Sequence, residues 1–145
     1  MAELTQLSRV EGGCLPIHFL VLGPIENNVY FIRDDAATIV VDPSCAVDTI
    51  LEALDGRKLD AIILTHRHWD HIGAAAALRE ATGATVIASS VDAPCIAGEK
   101  PAPGDAHDVD PCPVDYQVDD GDVVQIGNMA WRVFLTPGHT PGSMC

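Results

Sequence analysis

The sequence predicts an α/β fold, and three observations predict it. Three β-rich runs joined by short turns open the chain. The apolar period then lengthens to that of a helix, and a strand–helix–strand–helix–strand succession follows. Short turns suit an antiparallel meander, whereas strands separated by helices pair in parallel through right-handed crossovers.

After a polar start, Pro16-Ile17-His18-Phe19-Leu20-Val21-Leu22 reads as a strand. Gly23-Pro24 and Asn27-Asn28 mark a turn, Val29-Tyr30-Phe31-Ile32 is the next strand, and Asp34-Asp35 turns the chain into Thr38-Ile39-Val40-Val41. Val47, Ile50, Leu51 and Leu54 then follow helical spacing, with a stop near Gly56. Ala61 to Leu64 reads as a buried strand. The alanine-rich run from Ile72 to Thr82 reads as one helix ended by Gly83, and Thr85-Val86-Ile87-Ala88 as another strand. Residues 98–114 are rich in Pro, Gly and Asp and form a long loop, read equally as a rim of the site or a surface excursion. Gly121-Asp122 opens a hairpin of Val123 to Ile126, Gly127-Asn128, and Met129 to Leu135.

A chain of 145 residues with 48% apolar content suits one domain with a real core. No apolar stretch is long enough to span a membrane, and the N-terminus lacks a signal-peptide pattern, so a soluble cytoplasmic protein is expected. The 21 acidic and 8 basic residues give a net charge of −13, which repels nucleic acid and anionic membrane. Asp105, Asp108, Asp110, Asp115, Asp119, Asp120 and Asp122 carry much of that charge without calcium-loop spacing, and are read as solvating a loop. Five cysteines (14, 45, 95, 112, 145), an odd number with no Cys-x-x-Cys pair, point to reduced, mostly buried thiols.

His66-Arg67-His68-Trp69-Asp70-His71 places four metal-ligand side chains within six residues, directly after a buried strand. Such a set grips divalent metal, and water on a metal is a route to hydrolysis at neutral pH. In an extended turn His66 and His68 point to one side, while Asp70 and His71 diverge toward a second position. Two neighbouring ions fit that spacing better than one, with Arg67 and Trp69 facing away. The second loop, Thr136-Pro137-Gly138-His139-Thr140-Pro141-Gly142-Ser143, is stiffened by two prolines and two glycines around His139. Both loops leave the ends of apolar strands, where α/β sheets collect ligands. His139 beside His66 and His68 makes a three-histidine set with an open position for water. His18 and His107 have no such company and are read as ordinary.

These residues resemble the metallo-β-lactamase superfamily, especially its glyoxalase II-like (hydroxyacylglutathione hydrolase-like) members. The resemblance runs through Gly23-Pro24, Asn27 to Tyr30, Val41-Asp42-Pro43, Leu64 to Gly73 and Thr136 to Ser143. It implies an αβ/βα sandwich, present here as the first half and the start of the second. It implies two zinc ions, with iron or manganese as alternatives. His66, His68 and His139 would hold the first ion, and Asp70 and His71 would help hold the second. Asp70 is the implied catalytic residue, orienting or deprotonating the attacking water, and metal charge would stabilise the oxyanion. Asp42 is read equally as a support for the ligand histidines and as a strand-end cap.

The family pattern continues with an Asp shared by both metals and a later His, and neither is expected within these residues. The chain is therefore expected to be a single domain, 1–145, lacking its C-terminal portion and turning over poorly alone. The bare inner face of the sheet is expected to be a liability, open to aggregation or to a second copy in a homodimer. The leading function is hydrolysis of a small-molecule thioester or ester, with no nucleic-acid or membrane partner. One alternative resembles a mononuclear iron persulfide dioxygenase, built on His66, His139 and the absent Asp. The other is a truncated chain that binds metal without turnover.

Overall fold

The computed structural model describes residues 7–12, 15–101 and 109–145. Cys14, Asp105, His107 and Asp108 lie outside the described residues. The elements run β1 (Ser8–Arg9), β2 (Ile17–Leu22), β3 (Asn27–Arg33), β4 (Thr38–Val41), α1 (Val47–Leu54), β5 (Ala61–Ile63), α2 (Trp69–Ile72), α3 (Ala75–Thr82), β6 (Thr85–Ser89), α4 (Ala93–Ile96), β7 (Tyr116–Val118), β8 (Val123–Ile126) and β9 (Met129–Arg132).

Strands β1 to β7 form one sheet in sequence order, and β8–β9 form a separate two-stranded sheet. The first four strands pair antiparallel, as the meander expectation requires. Then β4, β5, β6 and β7 pair in parallel, with Val40 opposite Ile62 and Ile62 opposite Val86.

The apolar runs are continuous because both sheet faces are covered. Val40, Ile62, Val86 and Ala88 face a core closed by Ile50, Ala53 and Leu54 of α1, Ala75 and Leu78 of α3, and Ile96 of α4. Their neighbours Ile39, Ala61 and Ile87 face a second core closed by Ile126 and Met129 of the hairpin, with Val133 and Met144. The result is a helix–sheet–sheet layering in which the hairpin covers part of the face expected to be bare. No helix among the described residues is long and apolar enough to cross a membrane.

Two expectations need correction. The run from Ile72 to Thr82 is not one helix: α2 starts at Trp69 and ends at Ile72, and α3 starts at Ala75. Gly73 sits between them because a Cβ there would meet the Ser44 carbonyl oxygen at 2.2 Å, so the chain must pack backbone against backbone. Gly83 ends α3 as expected, at φ 73° with its N–H on the Arg79 carbonyl. Second, of the cysteines described, Cys112 alone is buried; Cys45 and Cys95 are half-buried and Cys145 is exposed, all as free thiols. The 98–114 loop reaches both ways at its described ends. The Pro101 carbonyl accepts from the Cys95 thiol at 3.4 Å, whose sulfur accepts from the Arg67 guanidinium of the first histidine loop at 3.7 Å, while the far end turns to the helix side. Cys112 donates its N–H to Ile96 and packs with Val109 and Val114 against the helix-side core.

Candidate metal centre

Three adjacent parallel strands end on one edge of the sheet, and each hands a loop to the site. Asp42 follows β4, the 64–68 segment follows β5, and residues 90–92 follow β6. Strand β3 runs antiparallel to β4, so its first residue, Asn27, starts at the same edge. This is the crevice beyond the carboxyl ends of strands where α/β folds place their chemistry.

His66 is the most informative side chain. It is only 7% exposed, and its Nδ1 lies 2.9 Å from the Thr65 hydroxyl. That hydroxyl donates to Oδ2 of Asp42 at 2.6 Å, so it accepts from an Nδ1–H of His66. The lone pair of His66 is therefore on Nε2. Nε2 is buried and has no hydrogen-bond partner among the described residues. A buried polar atom left this way costs on the order of 1–3 kcal/mol, a cost that a bound cation removes. Burial, reinforced by the charge of His71, pushes the His66 pKa down to about 4, keeping the ring neutral and able to ligate.

Around that nitrogen stand two further rings. His68 caps α2 in extended conformation and is half-buried, while His139 is exposed. Nδ1 of His68 and Nε2 of His139 lie 2.9 Å apart, and one ligand atom each from His66, His68 and His139 falls within a 4.8 Å span. Two nitrogens at about 2.0–2.1 Å on a tetrahedral ion stand roughly 3.3 Å apart, so the His68–His139 pair needs to open by only a few tenths of an ångström. The donor chemistry and the unpartnered nitrogen fit a divalent metal.

Asp70 and His71 converge on each other beside the first set. Nε2 of His71 is 3.5 Å from Oδ2 of Asp70, and the same oxygen accepts from the Asn27 side-chain amide at 3.1 Å. Burial works against ionising Asp70, but the Asn27 hydrogen bond and the nearby His71 outweigh it and hold the pKa below its ordinary value. For His71 burial lowers the pKa, yet the hydrogen bond and charge of Asp42, helped by Asp70, raise it overall.

Asp42 ends β4 and accepts hydrogen bonds from residues beside and within the first histidine loop. Its Oδ1 accepts from Thr65 N–H at 2.8 Å, and its Oδ2 accepts from the Thr65 hydroxyl and from His71 Nδ1 at 2.9 Å. Asp42, His66 and His71 also bring ligand atoms within 4.8 Å of one another. The Asp42 oxygens are already engaged by donors, so that grouping is a hydrogen-bond network and not a second ion site. Its backbone is left-handed at φ 53°, an uncommon conformation for a residue with a side chain, which Asp tolerates better than most.

Every residue expected in the site is therefore on this edge. Sequence reasoning missed Asn27 and Thr65. Asn27 reads as a turn residue, and Thr65 carries no signal beyond adjacency to His66, although both lie in stretches that carry the resemblance. His18 stands apart on β2, in a hollow of about 250 Å³ that Arg33 and Arg57 also line.

A family profile described as the metallo-beta-lactamase superfamily matches residues 22–145. A hydroxyacylglutathione hydrolase of Cereibacter sphaeroides (strain ATCC 17025) is 38% identical over 133 residues, covering 88% of this chain and 46% of that protein. An uncharacterized protein of Aquifex aeolicus (strain VF5) is 34% identical over 134 residues, covering 89% of this chain and 63% of that protein. The chain thus spans about half the length of the curated relatives it matches, 41% in the case of the Methylococcus capsulatus hydroxyacylglutathione hydrolase. Among solved structures, a metallo-beta-lactamase mutant from Cronobacter sakazakii aligns with a TM-score of 0.78 at 28% identity, over 88% of this chain and 54% of that one. A subclass B3 metallo-beta-lactamase of Bradyrhizobium japonicum aligns with a TM-score of 0.75 at 29% identity, over 88% and 52%.

Proposed function

The chain belongs to the metallo-beta-lactamase superfamily, and from that premise we propose that it serves a metal-dependent hydrolase of small thioesters or esters. The observation that carries the reading is the buried Nε2 of His66, unpartnered among the described residues, on a ring with a ligand atom within 4.8 Å of those of His68 and His139. Zinc is the ion proposed, because three imidazoles with an open position suit it, and iron or manganese would use the same ligands. When bound, the metal supplies a Lewis acid and makes water acidic enough to give hydroxide near neutral pH.

The protein groups divide the remaining work. His66, His68 and His139 hold the first ion. His71, oriented through Nδ1 by Asp42, offers Nε2 beside Asp70 to a second. Asp70, kept ionised by Asn27 and His71, is the group proposed to orient the attacking water and take its proton. The thioester preference is drawn from the hydroxyacylglutathione hydrolase relatives. Their cover of this chain is higher in identity than that of the lactamase structures.

The test is thiol release from a hydroxyacyl thioester of glutathione by the zinc-loaded chain. Release above the uncatalysed rate is expected, with loss on chelation and in Asp70→Asn. Oxygen consumption by an iron-loaded chain on a persulfide, with no thiol release from the thioester, would replace this reading with the oxygenase. Zinc uptake with neither activity would leave a metal-binding chain without turnover.

A further inference from the structure

We propose that Asp92 is a positioning residue that clamps the two histidine loops together and thereby sets the affinity of the His66–His68–His139 set for divalent metal. The proposal rests on the metal-site reading above and adds a residue to it.

Asp92 is 1% exposed and stands at the N-terminal end of α4, just past β6. Its side chain does not cap its own helix. Instead, Oδ2 accepts from the backbone N–H of Arg67 at 3.1 Å and from the Thr140 hydroxyl at 2.6 Å, and Oδ1 accepts from the Gly142 N–H at 3.0 Å. Arg67 lies between His66 and His68, and Thr140 follows His139. One carboxylate therefore holds both loops within a residue of all three candidate ligands.

Little else does so. Among the described residues, one backbone hydrogen bond joins the loops directly, from Met144 N–H to the Thr65 carbonyl at 3.0 Å. His139 itself is exposed and has its ring against His68.

The residue type follows from the donors it meets. Arg67 N–H, Gly142 N–H and Thr140 O–H all point at one side chain, and a carboxylate is acceptor-only with room for all three. An amide of the same shape would turn its own N–H groups toward one of these donors. Burying the charge is costly unless it is hydrogen-bonded, and the three donors offset that cost.

The shelf around Asp92 explains a glycine independently. A Cβ on Gly142 would meet the Ser89 hydroxyl at 2.5 Å and Cγ of Asp92 at 2.6 Å. The Ser89 hydroxyl donates to the Gly142 carbonyl at 2.7 Å and accepts from Asp92 N–H at 3.1 Å. The loop is thus seated on Ser89 and Asp92 as a fitted surface, and the tolerance of a metal site, about ±0.2 Å in ligand distance, makes such seating matter.

The experiment compares wild type, Asp92→Asn, Thr140→Val, Thr140→Ser and the Asp92→Asn/Thr140→Val double variant. Zinc affinity is read by competition with a chromophoric chelator, ligand geometry by the cobalt(II) absorption spectrum, and folding by circular dichroism. Wild type is expected to bind. Asp92→Asn is expected to keep its secondary structure, lose about 10–100-fold in zinc affinity and shift the cobalt bands. Thr140→Val should weaken binding in the same direction and Thr140→Ser restore it, with the double variant no worse than the larger single effect. In the metal-free chain, the Arg67 and Gly142 amide protons should exchange faster in Asp92→Asn.

A folded Asp92→Asn with wild-type zinc affinity and an unchanged cobalt spectrum would overturn the proposal, as would fully additive single effects. Should Asp92→Asn fail to fold, the Thr140 pair decides: loss with Val and recovery with Ser supports the clamp, and wild-type affinity in Thr140→Val refutes it. A wild type that takes up no zinc sinks the metal-site reading and the proposal together, an outcome distinct from a binding wild type with equally binding variants.

Discussion

Nδ1 of His68 lies 2.9 Å from Nε2 of His139, across 71 residues of sequence. His68 comes from the loop after β5 of the large sheet, and His139 from the loop after the separate β8–β9 hairpin. The site is therefore made only when the second layer docks on the first through Ile126, Met129, Val133 and Met144.

His139→Ala should therefore cost more than loss of a supporting residue, with zinc affinity falling by more than about 100-fold. The exposure of His139 means that the fold should survive, which circular dichroism would check. Affinity within a few-fold of wild type in a chelator competition would count against the three-histidine set.

Asp42→Asn separates charge from backbone. Asn accepts a left-handed φ of 53° as readily as Asp, so the turn after β4 should persist. What changes is the acceptor for Thr65 N–H, the Thr65 hydroxyl and His71 Nδ1. A donor left unpaired there costs about 1–3 kcal/mol. Zinc affinity should fall by about 10–100-fold as His66 and His71 lose the partners that set their tautomers. Equal affinity in a titration of folded variant and wild type would return Asp42 to a plain strand-end role.

How much of this was legible follows from what each residue's signal is. His66, His68, Asp70 and His71 were readable because dense ligand spacing is improbable in an ordinary loop, and His139 because two prolines and two glycines surround it. The strands were readable because their apolar runs are buried on both faces. The two-residue β1, the four-residue α4 and the three-residue β7 were not, since none is long enough to show a period. Asn27, Thr65 and Asp92 were not singled out for a different reason. Each is a polar residue whose role depends on partners 23 to 50 positions away, as in Thr65 with Asp42 and Asp92 with Gly142. Spacing along a chain carries no trace of such partners.

The His66 pKa of about 4 sets a pH dependence for the metal-free chain. The unfolded ring takes up a proton near 6.5, and the folded one resists until about 4. Stability from this group is thus present above 6.5 and is lost as pH falls from 6.5 toward 4, by at most about 3 kcal/mol. His71 has the opposite sign: its raised pKa adds stability below the ordinary value, lost as pH rises through the folded one. Comparing wild type with His66→Asn leaves His71 in both chains. Urea unfolding in chelator between pH 6.5 and 4 should show the steeper acid loss in wild type, and parallel curves would contradict the buried neutral ring.

Gly73→Ala tests whether the break between α2 and α3 is needed by the site. By propensity alone alanine in a helical segment stabilises by up to about 1 kcal/mol. Here the added Cβ would lie 2.2 Å from the Ser44 carbonyl oxygen and 3.3 Å from that of Trp69, both backbone atoms that cannot swing aside. Overpacking of this kind costs about 1–3 kcal/mol, so the sign should be destabilising. The displaced segments are the ones that matter chemically. Ser44 follows Asp42-Pro43, the Ala74 N–H bonds the Pro43 carbonyl at 2.9 Å, and α2 carries Asp70 and His71. Pushing them apart should lengthen the Asp42–His71 contact and disturb the second position more than the first. Urea denaturation should show the loss of stability. Zinc titration of the same variant should then show the first, three-histidine site retained while any second ion is weakened. A variant as stable as wild type would mean that the 42–44 turn yields freely, and that the close approach at Gly73 does not hold Asp42 against His71.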